Sequence, residues 1–127
     1  MKRQKEKAEA FRALHARKGA FIIPNPWDVG TARILARLGF EALATTSAGF
    51  AFSSGVPDNQ VGRDGMLAHV AQIAAATDLP VSADLENGFG DDPESVAETI
   101  RGAAAAGVVG GSIEDSVNRP GEIVYEL

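Results

Sequence analysis

"LPVSADLENGFGDDPESVAETIRGAAAAGVVGGSIED", residues 79–115, holds an apolar run, an acidic glycine-rich loop, a helical pattern and a second apolar run. Within the first run Val81, Ala83 and Leu85 alternate with Ser82, Asp84 and Glu86, so the two sets fall on opposite faces of a strand. Asp92 is placed to cap a helix, Pro93 suits its first turn, and Val96, Ile100, Ala103 and Gly107 form the stripe expected to be buried. In the second run Ser112 and Glu114 share a face, with Ile113 opposite. Strand, crossover helix and strand in this order predict parallel pairing.

The same grammar extends toward the N-terminus. "AFIIP" (20–24) and "EALATT" (41–46) read as strands, and "NPWDVGTARILARLG" (25–39) as a helix started by Asp28 and ended by Gly39. "SAGFAFSSGVPDNQVG" (47–62) reads as a polar glycine-rich loop. "RDGMLAHVAQIAAATD" (63–78) is helical, with Met66, Val70 and Ile73 on one face. Ahead of all this, Ala8, Phe11 and Leu14 stand at helical spacing among charges that read as solvated. Four strand–helix repeats are thus expected. They suit either a small open sheet or part of a (β/α)₈ barrel, which normally needs about 250 residues.

The chain has 127 residues, no cysteine and a formal charge of −5. Disulfides, thiolate metal sites and cysteine nucleophiles are excluded within it. The acidic balance, and basic N-terminal residues interleaved with Glu6 and Glu9, argue against a nucleic-acid partner. With no apolar leader pattern and no apolar stretch long enough for a bilayer, the expectation is a cytoplasmic protein without a membrane partner.

The acids are the chemical signal. Asp84, Glu86 and Glu114 stand at the C-terminal ends of successive predicted strands, where α/β folds build their sites. Carboxylates converging there cannot all stay ionised without a cation, and a hard divalent ion such as Mg²⁺ would resolve the conflict. Oxygen ligands accept Mn²⁺ as well. Asp91 and Asp92, by contrast, read as helix-start residues. Thr45, Thr46 and Ser47 add hydroxyls beside small residues whose backbone N–H groups a carboxylate or developing oxyanion could approach. A hydrolytic triad is not expected, because His15 and His69 both lie within helical patterns.

Taken in order, "NPWDVGTARILARLGFEALATTSAG", "GVPD", "LPVSADLENGFG" and "GGSIED" resemble the isocitrate lyase and phosphoenolpyruvate mutase superfamily, from about Phe21 to Asp115. The resemblance implies an α/β fold, the N-terminal half of a (β/α)₈ TIM-type barrel. Residues 1–127 would form a single partial barrel domain, with a helix over about 2–18 and βα units over about 19–127. It implies a Mg²⁺-dependent lyase or mutase acting on a small 2-oxo or carboxylic acid through an enolate-like intermediate, with C–C or C–P bond chemistry. By position, Asp84 resembles the principal metal ligand, with Glu86 and Glu114 as further metal-site acids. Asp58 resembles the loop acid near metal and substrate, and Thr46, Ser47 and Ala48 the segment that holds the substrate's carboxylate and oxo group.

Where the family's C–C lyases carry lysine and cysteine, "EDSVNRPGEIVYEL" (114–127) has neither, which favours a mutase, an oxo-acid hydrolase or a less defined branch. Strands five to eight are absent, so the chain is expected to be a truncated form, inactive alone or completed by a second half-barrel in a homo-oligomer. A non-catalytic half-barrel serving as a binding module is the alternative.

Overall fold

Asp92 accepts hydrogen bonds from the Ser95 N–H at 2.9 Å and the Ser95 hydroxyl at 2.6 Å, so the last helix starts where the acid and Pro93 direct it. Asp28 likewise accepts from the Thr31 N–H at 2.6 Å. The computed structural model describes residues 2–117. Its elements are α1 (Gln4–Ala16), α2 (Val29–Arg37), β1 (Leu43–Ala44), α3 (Ser47–Ser53), α4 (Arg63–Ala76), β2 (Val81–Asp84), α5 (Pro93–Ala105) and β3 (Gly110–Ser112). The three strands form a parallel sheet in the order β1-β2-β3, with Leu43 opposite Val81 and Asp84 opposite Ser112.

One face of the sheet makes the core. Leu43, Val81, Ala83 and Leu85 pack with Ala32 of α2, Met66, Val70 and Ile73 of α4 and Ala103 of α5. Fully buried Leu43, Val81, Ile73 and Leu85 each contribute about 1.5–3 kcal/mol. Ser82 and Asp84, on the opposite face, stay partly accessible. Phe11 covers that face below Asp84. A Cβ on Gly110, the partner of Ser82, would come within 2.7 Å of the Phe11 ring, so a larger residue there would have to displace the ring.

Four expectations are corrected. Among the described residues there are three strands, not four. The 20–24 run lies beside β1 but makes one backbone bond to it, from the Ala44 N–H to the Pro24 carbonyl at 3.1 Å. Pro24 and Pro26 have no N–H with which to extend a ladder. Second, the presumed loop after β1 begins with a helix, α3, capped by Thr46. Third, Thr99 and Ala103 are the buried residues of α5, whereas Ile100 is 43% exposed. With Leu85, Val108 and Val109, Ile100 lines an uncovered apolar groove beside β3. Fourth, Lys7 is buried rather than solvated. No helix among the described residues is long and apolar enough to cross a membrane.

Candidate functional site

β2 stops at Asp84, and the chain then turns sharply. Glu86 has φ +50°, Gly88 +83° and Phe89 +60°. For the two residues that carry side chains this left-handed backbone costs on the order of 1 kcal/mol each, and it persists because the surroundings fix it. The Gly88 N–H donates to the Leu85 carbonyl at 2.9 Å, and the Glu114 N–H donates to the Glu86 carbonyl at 2.8 Å. From α5 the buried Thr99 hydroxyl donates to the Gly88 carbonyl at 2.7 Å.

One amide of this turn and one from the start of α3 meet on one carboxylate. Asp84 Oδ2 accepts from the Ser47 N–H at 2.8 Å, and Oδ1 accepts from the Glu86 N–H at 3.2 Å. The Asp84 N–H donates to Thr45 Oγ1 at 3.0 Å. Each carboxylate oxygen keeps a further lone pair, so Asp84 is oriented but not saturated.

Glu86 presents the opposite situation. It is 2% exposed, and its Oε1 has no hydrogen-bond partner among the described residues. Burial first, and then the carboxylates of Asp58, Asp84 and Glu114, push its pKa up to about 7. Asp58, Asp84 and Glu114 therefore lie within electrostatic reach of Glu86. No three His, Cys, Asp or Glu side chains among the described residues are arranged to hold an ion directly. A buried carboxylate oxygen without a donor, among three like charges, nonetheless fits a cation held by one direct ligand with the other acids bonded through its water.

The hydroxyl segment is partly committed to the fold. Thr46 Oγ1 accepts the Gly49 N–H at 3.1 Å as the cap of α3, and Ser47 is buried with its N–H given to Asp84. Ala48 follows Ser47 in α3 and is half-buried. Asp58 is half-buried on the loop after α3, and its Oδ1 accepts the Asn59 N–H at 3.0 Å. Glu114 is exposed just past β3 and accepts the Ser116 hydroxyl at 3.1 Å. Sequence reasoning missed the supporting roles of Thr45 and Thr99. The signal for Thr99 was a hydroxyl residue beside an otherwise apolar helical stripe. Of the 114–127 stretch that lacks lysine and cysteine, residues 118–127 lie outside the described residues.

Comparison with known proteins gives this geometry its context. The phosphoenolpyruvate phosphomutase family model matches residues 11–127. A solved Burkholderia cenocepacia J2315 protein that carries a provisional lyase/mutase name is 69% identical, with a TM-score of 0.94 over 97% of this chain and 44% of its own. The 2-methylisocitrate lyase of Halalkalibacterium halodurans is 34% identical over 115 residues, 90% of this chain and 38% of that protein. An oxaloacetate acetylhydrolase solved with its product oxalate is 29% identical, with a TM-score of 0.83 over 94% of this chain and 43% of its own. The chain thus spans about two fifths of the length of the proteins it matches. Fold, motif order and this degree of identity agree, and the chain belongs to the phosphoenolpyruvate mutase/isocitrate lyase superfamily.

Proposed function

We propose that residues 1–127 form the N-terminal half of a (β/α)₈ barrel that binds Mg²⁺, or Mn²⁺, and a small 2-oxo or carboxylic acid. The chemistry would make or break a C–C or C–P bond through an enolate-like intermediate. The observation that carries this reading is Glu86, buried with an unpartnered oxygen beside Asp58, Asp84 and Glu114. Such a cluster is costly unless a cation joins it.

In this reading Asp84 is the direct ligand, its carboxylate aimed by the Ser47 and Glu86 amides. Glu86 and Glu114 bond through water, and Asp58 closes the rim beside the substrate. When bound, the ion supplies positive charge opposite the negative charge that grows on the substrate's oxygens. The Thr46 hydroxyl and the Ala48 N–H are the donors proposed for the substrate carboxylate and oxo group, and Ser47 acts chiefly by holding Asp84. The remaining strands of a barrel would come from further chain or from a second half-barrel in a homo-oligomer.

Calorimetric titration with Mg²⁺, with and without oxalate as an enolate mimic, tests the reading. Oxalate binding that requires Mg²⁺ and is lost in Asp84→Ala is the expected result. A folded chain that binds neither, or binds both equally after Asp84→Ala, would overturn the placement of the site on these residues.

A further inference from the structure

We propose that His69 is a positioning residue, whose ring, stacked flat on Phe50, holds α3 so that Ser47 and its neighbours stand in register with Asp84. His69 lies mid-way along α4, 6% exposed, with its ring centroid 3.7 Å from that of Phe50 and the planes only 4° apart. Its Nε2 has no hydrogen-bond partner among the described residues, so the ring presents a face to Phe50 rather than a donor to a neighbour. Burial lowers its pKa against the opposing pull of Asp28, which favours the uncharged ring against the phenyl.

The connection to the site is short. The Phe50 N–H donates to the Thr46 carbonyl at 3.1 Å, the bond that closes the first turn of α3. Ser47, in that turn, gives its N–H to Asp84. α3 has seven residues, too few to be stable without tertiary support. A flat ring beneath Phe50 supplies that support from the long, core-anchored α4. The effect on ligand binding rests on the function proposed above; the effect on α3 does not.

Amide hydrogen exchange and the oxalate titration test this with three variants. His69→Leu keeps an apolar side chain but no flat face, His69→Phe restores the face, and Ile73→Val perturbs the core one turn further along the same helix without touching the ring. In ligand-free protein His69→Leu is expected to speed exchange at Phe50 and Ser54 by about tenfold while α5 is unchanged. His69→Phe should stay near the wild-type rate, and Ile73→Val should leave α3 no faster than the rest of the chain. With Mg²⁺ present, oxalate affinity should fall about tenfold in His69→Leu, with a smaller loss of Mg²⁺ affinity as the Ser47–Asp84 bond loosens, and both should recover in His69→Phe.

Unchanged α3 exchange in His69→Leu would overturn the proposal, and so would a Phe variant as loose as the Leu variant. Equal loosening by Ile73→Val would reduce His69 to general stability and overturn it too. A wild-type chain that binds no oxalate would remove the proposed function and leave the exchange result to decide His69.

Discussion

Lys7 and Glu86 are both ionisable side chains withdrawn from water, at 4% and 2% exposure, yet the fold treats them in opposite ways. Lys7 Nζ donates to the Ala74 carbonyl at 2.8 Å and the Thr77 carbonyl at 2.6 Å, at the C-terminal end of α4. Its charge faces the negative end of the helix and answers carbonyls that the helix cannot satisfy itself. Gln4, one turn earlier, donates to the Ala104 carbonyl at 2.7 Å at the end of α5. At the other end of the sheet Glu86 has an oxygen with no donor and carboxylates for neighbours. Under the proposed function the contrast has a simple reading: Lys7 is answered by the fold and is structural, whereas Glu86, left unanswered, is the group for which a ligand is proposed.

The largest effect expected from breaking this contrast is at Lys7. Lys7→Met keeps the stem but strands two carbonyls, and should lower stability by about 3 kcal/mol in urea denaturation while leaving Mg²⁺ affinity intact. A matching loss of Mg²⁺ affinity would show that the two ends of the sheet are not independent.

Glu86 should behave inversely, and its pH dependence reveals this. Its pKa is 4.5 in the unfolded chain and about 7 in the folded one, so between these values the folded chain holds more protons. Stability without metal should therefore be greatest below pH 4.5 for this group and be lost as the pH rises through about 7, by roughly 3 kcal/mol. Saturating Mg²⁺ should flatten the loss. Glu86→Gln, at pH 8 in chelator, should stabilise the chain by about 2 kcal/mol yet weaken Mg²⁺ binding about tenfold. If the glutamine variant is instead less stable, Glu86 is satisfied in the fold and the contrast with Lys7 fails.

Two smaller substitutions sharpen the boundary of the site. Thr99→Val removes the hydroxyl that pins the Gly88 carbonyl and should cost about 1.5 kcal/mol, with a measurable loss of Mg²⁺ affinity as the Glu86 turn loosens. Asp92→Ala removes the cap of α5 and should cost about 1 kcal/mol, with Mg²⁺ affinity unchanged. Calorimetry on the pair separates an acid that starts a helix from a threonine that supports the site.

Local chemistry made much of the molecule legible in advance. The helix starts at Asp28 and Asp92, the buried face Met66, Val70 and Ile73, and the alternation across β2 depend on neighbours within a few residues, so pattern suffices to find them. Asp84, Glu86 and Glu114 could be singled out in the same way, as acids at expected strand ends, whereas Asp58, on a loop, was reached only through the family resemblance. What pattern could not supply was the partner of each group. The Ser47 amide meets Asp84 across 37 positions of sequence, and Lys7 meets the end of α4 across 67 and 70. Two prolines beside the sheet leave the 20–24 run outside the ladder, and Ile100 of α5 stays half open on a groove that nothing described here covers. Because capping, alternation and charge act locally, pattern alone locates α2, α4, α5 and β2 and the acids at the strand ends, though not α3 or the state of the 20–24 run. Which buried charge is answered follows from long-range packing alone, because it depends on donors and acceptors brought in from distant segments.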